Sequence, residues 1–274
     1  MSSQQADTPT EERLSEAQAL RQVAALARRS LVSTYRQPAL WFPGLFFPLV
    51  IAAVNSGSLE RSTGLPGFPD VDSYLQFVLP ATVIQGVLFG GILAGTDVAL
   101  DVQDGFFDRL LTSPVSRTSI VVGRLVGSAV LGLLQSIIFV VVFSIFGVRI
   151  PGGLAAVSVL AVTAVLLAVA VGGLAAAVGL RTGQQEAVQN SFPLVFIVLF
   201  MSSAFFPAQL MSGWFGAMAR NNPLTWMIDA VRSVVVDGFA VDDAFVAFGV
   251  ALCAAVAAVV VALRQLAWRL RVAP

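Results

Sequence analysis

Long runs of apolar residues alternate with short polar connections along this chain. A helix needs about 20 apolar residues to cross the hydrocarbon core of a bilayer, and six of the runs are long enough. The first run is the least regular because Pro43 and Pro48 interrupt it, although neighbouring helices can satisfy the carbonyls that a proline leaves free. The pattern predicts an all-α integral membrane protein with six transmembrane helices, at Leu40–Ser58, Tyr74–Leu100, Ile120–Val148, Leu154–Leu180, Phe192–Leu210 and Ala244–Leu263.

The polar connection between the second and third spans, Asp101–Arg124, has a pattern of its own. Val102, Phe106 and Leu110 recur at i, i+4 and i+8, as on one face of an amphipathic helix, and charged residues fill the remaining surface. Thr112-Ser113-Pro114 is typical of a cap followed by proline at the first helical position, where a new helix begins. A connection that merely joined two spans would need only a few residues. We therefore expect a short helix that presents aromatic and charged side chains to a soluble partner.

Further segments outside the spans are also patterned. Residues 1–12 are polar and acidic and predict a disordered tail rather than a signal peptide. Arg13–Gln37 has Leu and Ala on one face and Arg and Gln on the other, which predicts a helix lying in the membrane interface. Met211–Asp243 has two amphipathic halves divided by Asn221-Asn222-Pro223. This predicts two re-entrant helices that dip into the outer leaflet between the fifth and sixth spans.

The distribution of arginine sets the orientation. With six spans both termini lie on one side of the membrane, and twelve of the sixteen Arg fall on that side. The other side holds Arg61, Arg149, Arg220 and Arg232. Because positive charge is retained in the cytoplasm, both termini are predicted to be cytoplasmic. Residues 13–274 then form one transmembrane domain, with residues 264–274 as a cytoplasmic tail.

Composition excludes several kinds of chemistry. The chain is 57% hydrophobic and 12% charged, and it contains no His, whereas soluble domains carry about 25% charged residues. Every basic residue is Arg. Without Lys there is no phosphate-binding GK[ST] loop or Schiff-base lysine, and without His there is no Ser-His nucleophile or imidazole metal ligand. The single cysteine, Cys253, lies in an apolar run and is interpreted as a small buried hydrophobe. We expect no catalytic residue and no bound metal or cofactor.

Arg-rich, Lys-free usage is typical of a GC-rich bacterial genome, so we expect a bacterial plasma membrane.

Polar side chains inside the spans are few, and no acidic residue falls at mid-depth. Asn55, Gln85 and Gln135 are the deepest clearly polar ones, and an interhelical hydrogen bond is favoured over a substrate contact for each. A proton-driven carrier or ion channel is disfavoured, because such proteins need ionisable groups within the membrane. Phenylalanine recurs along the fifth span, a pattern more typical of core or lipid-facing residues that would also suit an apolar pathway. The candidate residues for a substrate path are Asn55, Gln85, Phe196, Phe200 and Phe205.

Three stretches carry a family resemblance. They are YLQFVLPATVIQGVLFGG in the second span, DGFFDRLLTSPVSRTSIVVGR after it, and SSAFFPAQLMSGWFGAMARNNPLTWMIDAVRSVVVDG towards the end. The chain resembles the membrane permease of ABC-2 type exporters over nearly its whole length. It is particularly similar to the daunorubicin/doxorubicin-resistance permeases of actinobacteria.

The resemblance implies a type V exporter fold in which this subunit pairs with a second copy and with two copies of a separate ABC ATPase. ATP and Mg would be bound by that ATPase, and no nucleic acid is involved. The segment Asp104–Leu111 would be the coupling helix that docks in a groove of the ATPase, with Arg13–Gln37 as the connecting helix beside it. The residues expected to couple the permease to the ATPase are Asp104, Gly105, Phe106, Phe107, Asp108, Arg109, Leu110, Pro114, Ser116 and Arg117.

The expected function is ATP-driven export of a hydrophobic or amphiphilic compound, such as a drug, antibiotic or lipid-like molecule. The main alternative is export of a lipid-linked glycan or polysaccharide, which a wide aromatic-lined groove would favour. A membrane scaffold or sensor subunit is a more distant alternative, because it has no need of a coupling helix. An intramembrane hydrolase is the most distant, because the chain lacks His and a mid-depth acid pair.

Overall fold

The computed structural model describes residues 38–105 and 117–272, together with six scattered helical positions between Arg21 and Val32. No β-strand occurs among these residues, so the all-α prediction is confirmed for them. Two 3₁₀ turns lie at Glu60–Gly64 and Ala208–Leu210. In chain order the helices are α1 (Pro38–Leu59), α2 (Tyr74–Gln103), α3 (Arg117–Ile145), α4 (Gly153–Thr182), α5 (Gln185–Gln189), α6 (Phe192–Phe200), α7 (Gly213–Asn221), α8 (Pro223–Val236) and α9 (Val241–Val272).

Five of these helices, α1, α2, α3, α4 and α9, are long and apolar enough to cross a membrane. They coincide with the first four predicted spans and the sixth. Helix α1 continues through both Pro43 and Pro48. Helix α9 continues to Val272, so residues 264–272 are helical, and their place in a cytoplasmic tail stays a prediction. Arg269 ties this last part of α9 to α4 by donating from Nη1 to the carbonyl of Leu180 at 2.8 Å.

The fifth predicted span, Phe192–Leu210, is not a single helix, and the six-span architecture is to that extent not confirmed. Helix α6 ends at Phe200 after nine residues, a length of roughly 14 Å, which is too short to cross a bilayer. The hydroxyl of Ser202 donates to the carbonyl of Leu199 at 2.5 Å and accepts from the amide of Ala204 at 3.2 Å. Serine hydroxyls that bond to the nearby backbone in this way compete with helix continuation. Pro207, which has no amide hydrogen, then immediately precedes the 3₁₀ turn Ala208–Leu210.

Helix α2 is the centre of the bundle. Its membrane-length segment is completely buried, and it packs against α1, α3, α4 and α8. Glycines permit these close contacts: a Cβ on Gly91 would lie 2.6 Å from the side chain of Val171 in α4, and one on Gly95 would overlap Ala175. The small residues at these positions of α2 therefore serve helix packing.

Helices α7 and α8 form the predicted pair of short helices. Asn222 separates them, and its side chain caps α8 by accepting from the amide of Leu224 at 2.9 Å, while Pro223 occupies the first turn. Helix α8 packs against α9, α2 and α4. We call this side of the bundle the α8 end. The opposite side, where the chain passes from α2 to α3, is the loop end.

Candidate substrate path and coupling region

The start of the predicted coupling segment is described, and it corrects part of the prediction. Helix α2 ends at Gln103, and the amide of Asp104 donates to the carbonyl of Leu100 at 2.9 Å. Gly105 follows in the left-handed conformation, with φ 65°. Glycine adopts that conformation without strain, and it stops an α-helix. One helix through Val102, Phe106 and Leu110 is therefore wrong, because Val102 belongs to the last turn of α2.

The other predicted coupling residues lie outside the described residues, and their role stays a prediction. Arg117 is the first residue of α3, and nothing is described of its side chain. Most of the predicted interfacial helix Arg13–Gln37 and all of residues 1–12 also lie outside the described residues. The remaining members of the predicted coupling set outside the described residues are Phe106, Phe107, Asp108, Arg109, Leu110, Pro114 and Ser116.

An ionic cluster lies at the loop end, on the two helices that flank the coupling segment. Arg124 of α3 pairs closely with Asp101 and, at 3.6 Å, with Asp97, both on α2. The three side chains are only 13–15% exposed. At such burial an ion pair is costly to break, because one charge would be left without its partner. The cluster therefore ties the ends of α2 and α3 together.

Six phenylalanines form a continuous chain of ring contacts, which we call the aromatic ladder. It begins with Phe47 of α1 and Phe89 of α2, whose rings both contact Phe196 of α6, at 6.0 and 5.5 Å between centroids. From Phe196 it continues to Phe200 at 4.8 Å and then to Phe205 at 4.9 Å. Phe192 joins it beside Phe89, at 4.9 Å. These separations are typical of favourable aromatic pairs.

A pocket of about 510 Å³ lies beside the first part of the ladder, between α1, α2, α5 and α6. We call it the aromatic pocket. Its apolar walls include the rings of Phe47, Phe89, Phe192 and Phe196. Thr96 and Gln189 add the few polar groups, towards the loop end. A mostly apolar pocket with a few polar groups is typical of sites for small amphiphilic molecules, and this volume lies in their usual range of about 300–1,000 Å³.

Of the predicted path residues, the structure brings three together and leaves two apart. Phe196, Phe200 and Phe205 are all in the aromatic ladder, whereas Asn55 and Gln85 do not line the aromatic pocket. Asn55 is half-buried on α1. Gln85 is 1% exposed, and its Nε2 has no hydrogen-bond partner among the described residues. No sequence pattern indicates Phe47 and Phe89, because their part in the ladder depends on how α1 and α2 pack.

A second polar side chain, Gln135, lies between helices, and its predicted interhelical hydrogen bond stays a prediction. Its amide group fills the space beside two glycines, Gly90 of α2 and Gly44 of α1, where added Cβ atoms would lie 2.9 Å from its Oε1 and 3.5 Å from its Nε2. Gln135 is 7% exposed. The space that two glycines leave is thus filled by one polar side chain from a third helix, α3.

Arg232, one of the four arginines predicted on the outer side, is a buried charge at the α8 end. Its Nε donates to the carbonyl of Phe77 at 3.0 Å, its Nη2 to the carbonyl of Ser203 at 2.8 Å and its Nη1 to Asp229 at 2.5 Å. The guanidinium also lies over the ring of Phe77, 3.8 Å from its centroid. Burial lowers the pKa of Arg232, and the carboxylate of Asp229 opposes that shift. The spacing of Asp229 and Arg232 on an apolar helix was the only signal in the sequence.

The segment 201–207, which we call the 201–207 turn, is held by side chains from other elements. Asn222 donates from Nδ2 to the carbonyls of Val198 and Met201, at 2.6 and 3.0 Å. The hydroxyl of Tyr74 donates to the carbonyl of Phe205 at 2.7 Å. Buried backbone that is not helical needs such partners.

The chain matches the family described as ABC-2 type transporter over residues 21–236. This match covers most of the chain, and it includes α1 to α8, the aromatic ladder and Arg232. The chain belongs to the ABC-2 type transporter family. It is a membrane permease of such a transporter, a component that does not itself hydrolyse ATP and that acts with an ATPase subunit.

Similar proteins include permeases named for drug resistance. The daunorubicin resistance ABC transporter permease protein DrrB1 of Streptomyces coeruleorubidus is 28% identical over 192 residues, which are 70% of this chain and 65% of that protein. The putative transport permease ycf38 of Porphyra purpurea is 28% identical over 217 residues, 78% of this chain and 74% of its own length. The probable doxorubicin resistance permease DrrC of Mycobacterium tuberculosis is 23% identical over 167 residues, 61% of this chain and 60% of that protein. The chain thus spans less than two thirds of the length of these drug-resistance relatives.

Proposed function

We propose that this permease exports a hydrophobic or amphiphilic compound out of the cytoplasm or the inner leaflet. The observation that carries the proposal is the aromatic pocket joined to the aromatic ladder. A planar apolar molecule can stack on phenylalanine rings, and the pocket offers four of them with two polar groups at one side. The names of the DrrB1 and DrrC relatives refer to daunorubicin and doxorubicin resistance, and they support a drug as the substrate.

The direction of transport follows from the proposed topology. With both termini and the loop end in the cytoplasm, the aromatic pocket opens in the inner half of the membrane, and the ladder leads from it towards the α8 end. The α8 end and the pair α7 and α8 then lie at the outer leaflet. The twelve-to-four distribution of Arg supports this orientation. The exposed Trp214 and Trp226 support an interfacial position for α7 and α8, because tryptophan is enriched at both membrane interfaces.

A second copy of the permease is proposed to complete the path. Helix α1 is the least buried of the five candidate spans, and it presents Phe42, Phe46 and Val54, each more than half exposed. Helix α6, beside α1, presents Leu194 and Ile197, which are also more than half exposed. Two such faces related by a two-fold axis would enclose the open side of the aromatic pocket. The ATPase subunits would dock at the loop end, against the segment that follows Gly105.

The proposal is tested with the purified complex of the permease and its ATPase in liposomes of known orientation. The probe is daunorubicin, whose fluorescence reports its movement across the bilayer. We expect ATP-dependent movement away from the side on which the ATPase lies, together with faster ATP hydrolysis when the probe is present. Transport of a lipid-linked oligosaccharide with no effect of the aromatic amphiphile would overturn the proposal in favour of glycan export.

A further inference from the structure

The aromatic ladder ends in the 201–207 turn, and that turn is unusually well buried. Ser202, Ser203 and Ala204 are 2%, 0% and 0% exposed, although they belong to no helix. Phe205, the last ring of the ladder, is part of the same turn. A molecule that follows the ladder towards the α8 end therefore meets this turn before it can leave.

The hydrogen bonds that hold the turn come mainly from one helix, α8. Asn222, the N-cap of α8, binds the carbonyls of Val198 and Met201, and Arg232 near its other end binds the carbonyl of Ser203. The hydroxyl of Thr225, also on α8, accepts from the amide of Ser203 at 3.0 Å. A shift of α8 relative to α2 would therefore release two carbonyls of the turn, those of Met201 and Ser203, in one movement.

Asp229 makes such a movement feasible for the charge of Arg232. The two residues lie three positions apart on α8, and their ion pair is internal to that helix. When α8 shifts, Asp229 moves with Arg232 and remains its counter-ion. The bonds from Arg232 to the carbonyls of Phe77 and Ser203 break, and so does the bond that the hydroxyl of Ser203 donates to Asp229. Breaking an ion pair between two helices would instead leave a buried charge without a partner, which is strongly unfavourable.

We propose that the 201–207 turn is the gate at the α8 end of the substrate path, and that Arg232 and Asn222 are the latch that holds it closed. The proposal rests on the aromatic ladder being the substrate path. In this view the polar bonds of the latch, rather than apolar packing alone, determine how often the gate opens. Arg232 is a positioning residue, because it acts on the backbone of the turn and not on the transported molecule.

The test measures access to Ala204, which lies in the middle of the turn. Ala204→Cys is made in a Cys253→Ala background, so that it is the single thiol, and the purified complex is labelled in liposomes with a membrane-impermeant maleimide from the α8 side. Ser212→Cys, at an exposed position on the same side of the bundle, controls for the amount and orientation of protein. Labelling is compared without nucleotide and after trapping with ATP, Mg²⁺ and vanadate.

We expect Ala204→Cys to react slowly without nucleotide and faster after trapping. Adding Arg232→Gln or Asn222→Ala should raise the rate without nucleotide by about tenfold, the change expected when a buried hydrogen bond to a charged or amide group is lost. Arg232→Lys should raise it less, because it keeps the charge beside Asp229. Trp214→Ala, on exposed α7, should leave both rates unchanged.

A latch and a merely structural contact give different results. If Arg232 only stabilises the fold, Arg232→Gln will lower the melting temperature but leave the ratio of trapped to nucleotide-free labelling as it was, which would overturn the latch. If Arg232→Gln does not fold, Tyr74→Phe is used instead, because it removes only the hydrogen bond to the carbonyl of Phe205. The ratio of trapped to nucleotide-free labelling is then compared for Tyr74→Phe and the unmodified turn. Slow labelling in both states, with daunorubicin export intact, would overturn the gate and keep the proposed function. State-dependent labelling without daunorubicin export would support the gate and reject the substrate class.

Discussion

The rings of Phe89 in α2 and Phe196 in α6 are stacked, with 5.5 Å between their centroids and 12° between their planes. Both rings line the aromatic pocket, and Phe196 also leads on to Phe200. The pair therefore stands where the pocket meets the ladder. It connects a central, fully buried helix to the short helix that takes the place of the fifth predicted span.

Phe196→Ala is expected to impair handling of an aromatic amphiphile. Loss of the ring removes the contacts with Phe47, Phe89 and Phe200, and aromatic pairs contribute about 0.5–1.5 kcal/mol each beyond the area that they bury. The concentration of daunorubicin that half-maximally stimulates ATP hydrolysis should rise by about tenfold. Phe245→Ala is the control, since that ring is 71% exposed on α9. An unchanged half-maximal concentration for Phe196→Ala, at normal expression, would remove the aromatic pocket from the path.

Gly95→Val is expected to destabilise the bundle. A Cβ at this position would overlap Ala175 of α4, and overpacking of this kind costs about 1–3 kcal/mol. Gly57→Val is the matched control, because no atom lies within 4 Å of a Cβ there. The measurement is the melting temperature and the monodisperse fraction of the detergent-solubilised protein. Equal losses for the two variants would show that helix propensity, and not packing between α2 and α4, sets the effect.

Local pattern was sufficient to predict most of the fold, and the exceptions have physical causes. Five spans and the pair α7 and α8 follow from the length and period of apolar runs, which are properties of neighbouring residues. The early end of α6 depends on the hydroxyl of Ser202, which is hidden inside an apolar run. The latch could not be predicted, because Arg232 binds the carbonyls of Phe77 and Ser203, which lie 155 and 29 positions away. Periodicity carries no information about such partners.

Arg124→Gln is expected to weaken the loop end more than Asp97→Asn does. Loss of Arg124 removes the charge that two carboxylates share, whereas Asp97 is the more distant of the two, at 3.6 Å. Removing one partner of a buried ion pair lowers the free energy of unfolding by about 3–5 kcal/mol. Because the side chain of Arg124 is 13% exposed, we expect a loss near the lower end of that range. Thermal unfolding of both variants, and of the double variant Asp101→Asn with Arg124→Gln, measures the coupling. A double variant no more stable than Arg124→Gln alone would contradict the shared-charge arrangement.

Labelling from the two sides of the membrane tests the proposed topology. In a Cys253→Ala background, Arg109→Cys is expected to react only from the cytoplasm, and Arg61→Cys and Arg149→Cys only from outside. We expect this because positive charge is retained on the cytoplasmic side, and the segments predicted to lie there contain twelve of the sixteen Arg. Intact cells and inverted vesicles provide the two directions, and labelling after solubilisation gives the total. Strong labelling of Arg109→Cys in intact cells would refute the orientation.

Phe106 is the side chain on which we expect coupling to the ATPase to depend most. An aromatic residue that fills an apolar hollow of a partner contributes about 2–4 kcal/mol as an interface hot spot, whereas a charge at the rim contributes less. Phe106→Ala should therefore reduce assembly with the ATPase, or the export obtained per ATP hydrolysed, by about tenfold or more. Asp108→Asn is the comparison and should mainly change the rate of association and its dependence on salt. Both variants are measured in liposomes, with ATP hydrolysis and export normalised to the inserted permease. If Phe106 only anchors the segment in lipid headgroups, Phe106→Ala will lower insertion but leave coupling per molecule intact, and the proposed docking role then fails.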